Sequence, residues 1–373
     1  MIADGNKACQ YNRTINIAKT MPIRQTGTFP KVPPFLAGIA SLQGGTLGNV
    51  PISDRIAGMK RPPVSIPALF RGAVERPLGR RVSLSRHSSF RVGGPADYFF
   101  AARSLKELRS CLEFVRGQCL PFYLIGAGTN MLFDDRGFRG LILKNEARGI
   151  SRPPGECRVS ALSGTPLSDL VTFALDEGLE GLEFAAGIPG TVGGAVFGNA
   201  GAWGLSIGQL LEAALILDEE GRETRFGKDS FEFGYRHSSL KRRHLPLLEA
   251  TFCLRPGDKG RIRAKMDESL AKRRSPCPSP KMAYAGSFFK NPVLPDGTRT
   301  AAGRLLESVG AKELKKGGAG VYSGHANFIL NCGRATASDI RSLARIMKAR
   351  VKKRYGIELQ EEVIYLPAGF SML

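Results

Sequence analysis

The sequence predicts an α+β fold: a two-part ligand-binding domain followed by a smaller C-terminal α+β domain. Three observations carry that prediction: a glycine-dense but apolar block from Gly181 to Gly204, a short buried strand that ends in small residues near Gly126, and alternating strand and helix signals from Arg80 onward. The block reads GLEFAAGIPGTVGGAVFGNAGAWG. An ordinary helix or strand does not tolerate so much glycine, yet Ile188, Val192, Val196 and Phe197 are too apolar for a flexible linker. Gly187, Gly190, Gly193, Gly194, Gly198 and Gly201 let main-chain N–H groups turn toward one point and let the chain pass close to something bulky. A pyrophosphate or a flavin ring suits such a surface, and a glycine-rich structural turn is the alternative.

A second segment fits the same ligand. Pro121–Gly126 (PFYLIG) reads as a buried strand running straight into Gly126, Ala127, Gly128, Thr129 and Asn130. A strand that ends in small residues, a hydroxyl and an amide is a usual place for phosphate oxygens. The run is not GxGxxG, and no acidic residue stands at the spacing of a dinucleotide-binding unit. Upstream, Val92-Gly93-Gly94-Pro95 supplies a third small-residue stretch.

The remaining elements follow in order. Residues 1–79 are rich in Pro, Gly, Ser and Thr and strongly basic, with no lasting amphipathic period, so a disordered extension is expected. Met59 is an alternative start. Residues 80–256 form the main domain, in two subdomains of about 80–148 and 149–256. Ser104 with Glu107 caps a helix whose Leu105, Leu108, Leu112 and Val115 share one face, and Gly117 stops it. Thr165-Pro166 opens a second helix that ends at Gly178. Ala213–Leu217 and Glu223–Phe226 flank Asp218–Gly221 as a hairpin. The C-terminal domain spans 257–373. It begins with a basic helix, Lys259–Arg274, and continues through a proline-rich bend and a helix at Ala301–Val309. A helix capped by Thr336 with Asp339 buries Ile340, Leu343, Ala344, Met347 and Val351, and a strand over Ile357–Leu366 returns to the core.

Composition narrows the function. The 373 residues carry a net charge of +21. The cations are scattered instead of forming a stripe, so nucleic-acid binding is the lesser reading, and the field serves to steer an anionic substrate. Seven widely spaced cysteines without a CxxC argue against a disulfide framework and a zinc site. His87, His237 and His244 lack metal-ligand spacing, so no metal is expected. No apolar run has the length of a membrane span, and no signal peptide pattern opens the chain, which predicts a cytoplasmic protein without membrane insertion.

Six segments occur in one order: SSFRVGGPADYFF (Ser88–Phe100), LIGAGTNMLFDDRGFRGLILKN (Leu124–Asn145), the glycine block, FGYRHSSLK (Phe233–Lys241), AGSFFKNP (Ala285–Pro292) and HANFILN (His325–Asn331), with IELQEEV (Ile357–Val363) close behind. This order resembles the UDP-N-acetylenolpyruvoylglucosamine reductase family, MurB, over roughly Arg80–Leu366, and the chain looks like its subgroup without a substrate-capping loop. The resemblance implies the FAD-binding fold of the vanillyl-alcohol oxidase (PCMH) type. No motif for attachment through His or Cys is present, so noncovalent FAD is expected, and a monomer is the expected state although the residues are silent on it. The resemblance also implies NADPH as co-substrate and UDP-N-acetylglucosamine enolpyruvate as substrate, reduced for peptidoglycan synthesis. Residues implied at the flavin are Val92, Gly93, Gly126 to Asn130, Gly187, Ile188, Pro189, Gly190, Gly193, Gly194 and Asn199.

The same resemblance implies the catalytic residues. Arg236 would hold the substrate carboxylate, and a surface salt bridge is its bland alternative. Ser287 would protonate the enol, although the residues alone read as a turn serine. Glu362 would polarise the carboxylate or relay protons, and a register slip would exchange it for Glu361. Tyr235, Lys290, Asn291 and His325 are the expected substrate contacts, with a core histidine as the other reading of His325. The rival activity is a FAD-dependent sugar or alcohol oxidase of the same fold, with oxygen as acceptor.

Overall fold

The computed structural model describes residues 66–274 and 277–372. Most of the expected extension lies outside these residues. Its end does not: Ile66–Ala73 form helix α1. Phe70 is fully buried against Phe100 and Phe114, with ring centroids 5.1 Å away in both cases. The expectation of disorder up to residue 79 is therefore corrected. Ile66, Leu69 and Phe70 supply one apolar face that the Pro- and Arg-rich composition around them conceals.

The first layer contains β1 (Gly79–Ser83), β2 (Pro95–Ala102), α2 (Leu105–Gly117), β3 (Phe122–Ile125), β4 (Met131–Phe133) and β5 (Phe138–Asn145). Four of the strands form a sheet in the order β1-β2-β5-β3, with β1 antiparallel and the other pairs parallel. Helix α2 begins as the sequence indicates, the Ser104 hydroxyl accepting from Glu107 N at 3.1 Å. The Glu107 carboxylate does not close a capping box on Ser104. It accepts from Arg103 N and from Arg76 instead, all at 2.7 Å.

The second layer is antiparallel. It comprises β6 (Ile150–Ser151), β7 (Arg158–Leu162), α3 (Leu167–Asp176), α4 (Val192–Gly198), β8 (Leu211–Leu217), β9 (Glu223–Gly227) and β10 (Leu247–Cys253). The strand order is β9-β8-β10-β7-β6, and the β8–β9 hairpin is the one read from the sequence. Leu170, Val171 and Ala174 of α3 and Val192 and Val196 of α4 bury one face of this sheet.

The last part holds α5 (Lys259–Arg274), α6 (Ala302–Ser308), β11 (Lys315–Lys316), β12 (Ala319–Val321), β13 (Ile329–Asn331), α7 (Ala337–Tyr355) and β14 (Ile364–Leu366). Helix α5, placed in the C-terminal domain by its composition, packs on the second layer, where Ile262 and Met266 join the core. Its Arg273 donates to the carbonyls of Phe184 and Ala186 at 2.9 Å each. Helix α7 keeps its predicted stripe and its capping box. Asp135 of the first layer also caps it, accepting from Ala337 N (2.7 Å) and Ser338 N (3.0 Å). The strand expected over Ile357–Leu366 is shorter. Residues Ile364–Leu366 pair in parallel with β4, and Glu361 makes only an isolated bridge to Phe289. There the chain pairs with a loop, and a loop offers no longer ladder.

Replacing Phe70 by Ala should lower unfolding free energy by about 3 to 5 kcal/mol, the cost of emptying a buried phenylalanine site. Arg71→Ala, on the exposed side of the same turn, should leave the melting temperature nearly unchanged. Equal melting temperatures for both variants would place α1 outside the cooperative fold.

Candidate active site

The two glycine-bearing segments meet in space. Thr129 donates through Oγ1 to Pro189 O at 3.3 Å, and a Cβ added at Gly190 would touch Thr129 Oγ1 at 3.3 Å. At Gly128 (φ +69°) a side chain would collide with the carbonyl of His87. These loops line a cleft of about 1270 Å³ that also takes in Tyr235, Arg236, Lys241, Ser287, Asn291 and Glu362.

The cleft fits FAD on its own geometry. The N–H groups of Ala127, Gly128, Thr129 and Gly190 have no hydrogen-bond partner among the described residues, which suits pyrophosphate oxygens. Ile188, Leu167, Leu245 and Phe197 add an apolar wall for a flat ring system. Of the expected flavin residues, Gly126 to Asn130, Gly187 to Gly190, Gly193 and Gly194 line the cleft.

Three others do not. Val92 is buried in the C-terminal core, and Gly93 packs against Phe133 and Leu84. Asn199 is a structural clamp in the left-handed conformation: it donates to Gly234 O at 2.8 Å and accepts from Gly208 N at 2.9 Å. Its amide is consumed in tying the glycine block to the loop that carries Arg236.

That loop is a tight turn. Gly234 and His237 exchange both main-chain hydrogen bonds at 3.1 Å, leaving Tyr235 and Arg236 at the tip. Arg236 takes φ +54°, a left-handed conformation that costs a non-glycine residue on the order of 1 kcal/mol and is held by its surroundings. Its Nε donates to Glu362 Oε1 at 2.6 Å and its Nη2 to Gly201 O at 2.9 Å. Both partners of the ion pair are partly buried, with 26% and 18% of their side chains exposed. Glu361 is exposed, so the alternative register is not the one that faces Arg236.

Glu362 and Ser287 are brought together by main-chain pairing. Lys290 N donates to Gln360 O (2.9 Å) and Glu362 N to Phe288 O (2.8 Å). Asn327, which the sequence reading did not single out, fixes this loop: Phe288 N donates to its carbonyl, and its side chain exchanges two 2.9 Å bonds with Phe289. Asn130 joins the flavin side to it, donating to Glu362 O at 3.0 Å and accepting Ile364 N at 3.0 Å. Half-buried Ser287 lines the cleft, and its hydroxyl has no partner among the described residues.

The expected substrate contacts divide. Tyr235 and Asn291 line the cleft, and the guanidinium carbons of Arg236 and Arg299 approach the tyrosine ring to 5.4 and 4.0 Å from its centroid. Lys290 and His325 are outside the lining. His325 accepts from Asn327 N at 3.1 Å, stacks edge-on with Phe328 and covers Gly303, the satisfied core histidine that the sequence left open. Burial pushes its imidazole below the usual range. Lys241 was also missed, although FGYRHSSLK contains it. Its side chain folds back over the turn and donates to Arg236 O at 2.8 Å. The six described cysteines are free thiols, and no described helix is long and apolar enough to cross a membrane.

Comparison with known proteins agrees with this architecture. The family model for the C-terminal domain of UDP-N-acetylenolpyruvoylglucosamine reductase matches residues 278–366, and a FAD binding domain model matches residues 96–227. The UDP-N-acetylenolpyruvoylglucosamine reductase of Moorella thermoacetica is 42% identical over 280 residues, 75% of this chain and 90% of that protein. The Clostridium botulinum enzyme (strain Alaska E43) is 37% identical over 287 residues, 77% and 92% of the two chains. The crystal structure of UDP-N-acetylenolpyruvylglucosamine reductase from Thermus caldophilus superposes with a TM-score of 0.63 at 31% identity, covering 78% of this chain and 99% of that one. The chain belongs to the UDP-N-acetylenolpyruvoylglucosamine reductase family.

Proposed function

We propose that this chain is a cytoplasmic FAD-dependent oxidoreductase that reduces UDP-N-acetylglucosamine enolpyruvate to UDP-N-acetylmuramate for peptidoglycan synthesis, with NADPH as reductant. The observation that carries this reading is the Arg236–Glu362 pair beside Ser287 in a glycine-walled cleft, in a chain of this family. Residues 80–256 would hold the flavin and 257–373 would supply most of the substrate face, with α5 packed on the flavin side.

Bound FAD supplies a hydride carrier between NADPH and the terminal vinyl carbon of the substrate. The residues of the chain do the rest. The guanidinium of Arg236, fixed by two side-chain bonds, presents its remaining N–H groups to the substrate carboxylate. Charge that develops on that carboxylate as the neighbouring carbon gains electrons is stabilised without any rearrangement of the arginine. The Ser287 hydroxyl, uncommitted within the described residues, gives its proton to that carbon. Glu362 orients Arg236, and its second carboxylate oxygen takes up a proton from solvent and passes it to the Ser287 alkoxide, restoring the hydroxyl. Tyr235 and Asn291 contact the sugar nucleotide.

The direct test uses anaerobic protein reduced with NADPH. Addition of the enolpyruvyl sugar should restore the oxidised flavin band, and reoxidation by air alone would favour the oxidase reading instead. Ser287→Ala should keep flavin reduction by NADPH within about twofold while slowing reoxidation at least ~100-fold, the usual scale for loss of a general acid. An equal fall in both steps would make Ser287 structural. Gly194→Leu should lower the flavin-to-protein absorbance ratio with the far-ultraviolet circular dichroism unchanged, because a Cβ there meets only Thr191 Oγ1 at an ordinary 3.5 Å. Full flavin content in this variant would move the cofactor away from α4.

A further inference from the structure

Lys241 has no role in the mechanism above, yet its surroundings are those of a site residue. It lies on the helical turn Leu240–Arg243, half-buried, and lines the cleft. Its Nζ is 2.8 Å from the carbonyl of Arg236 and 5.8 Å from the ring centroid of Phe197, which belongs to the glycine-rich helix α4. Lys241 therefore touches the turn that carries Arg236 and the wall that faces the cofactor space. Ser238, three residues earlier, pins the same segment by donating to Phe197 O at 2.7 Å.

We propose that Lys241 is a positioning residue for the reduction: it holds Arg236 in its left-handed conformation and adds a second positive charge to the face that receives the anionic substrate. This rests on the function proposed above. The geometry has a specific logic. The side-chain bonds of Arg236 fix where its guanidinium points, and the bond from His237 N to Gly234 O holds one end of the peptide that follows. Lys241 holds the other end of that peptide, the carbonyl of the residue that carries the φ of +54°. The ammonium serves this purpose better than a neutral donor, because a charged donor bonds a carbonyl more strongly.

The charged groups facing Lys241 are Arg236 on the turn, Lys290 on the GSFFKNP loop and Glu362 on the C-terminal segment. Burial, with the two like charges, lowers its pKa to about 8, and Glu362 opposes that shift only in part. The cation is thus present at neutral pH and lost as the pH rises through about 8.

The test follows substrate-driven reoxidation of the NADPH-reduced holoenzyme, with flavin content measured on every preparation to control for folding. Lys241→Met should slow reoxidation at least about tenfold, a difference of about 1.4 kcal/mol in barrier. Lys241→Arg should recover most of it, since charge and donor return together. Lys241→Gln keeps a donor without a titrating charge. The wild-type rate should fall with an alkaline limb near pH 8, and the glutamine variant should lack that limb. A methionine variant with wild-type rates, or a glutamine variant that keeps the limb, overturns the proposal. A wild-type protein that the enolpyruvyl sugar does not reoxidise at any pH overturns the assigned function instead.

Discussion

The ion pair between Arg236 and Glu362 joins segments 126 residues apart and sets the geometry of everything around it. A half-buried pair of this kind is a weak source of stability, because removing two charges from water offsets most of their attraction. Its value is positional. Arg236 reaches Glu362 only because a strained turn aims it inward, and Glu362 faces the cleft only because its main chain pairs with Phe288 and Asn130. Losing either partner would leave an uncompensated charge in the cleft.

The three layers can be understood as supports for that contact. Strand β3 of the mixed sheet ends in the loop Gly126–Asn130, whose last residue clasps Glu362. The antiparallel sheet carries the glycine block, and Asn199 ties that block to the arginine turn. In the C-terminal part, Asn327 fixes the loop bearing Ser287. Small residues at the junctions let main chains approach closely. Uncommitted amides then remain on the cleft wall to bind a pyrophosphate.

Much of this was legible in the sequence, and the exceptions have physical causes. The caps at Ser104 and Thr336, the β8–β9 hairpin and the stripe of α7 are local signals, set by hydrogen bonds three or four residues apart. Glu362 and Ser287 could be placed in one cleft because their motifs are individually specific. Long-range partners were harder to see. Asn199 and His325 were read as ligand contacts, yet their polar groups are consumed by internal bonds. Helix α5 was separated from the core it packs on because its charge conceals Ile262 and Met266. Lys241 was missed because its partner is a main-chain carbonyl, which no residue pattern displays.

Arg236 and Glu362 act as one unit. A double-mutant cycle of Arg236→Met and Glu362→Gln, read on anaerobic flavin reoxidation by the enolpyruvyl sugar, tests it most directly. The double variant should be no slower than the slower single variant, because either change alone disables the unit. Rate losses that multiply across the cycle would show two independent residues and contradict the account.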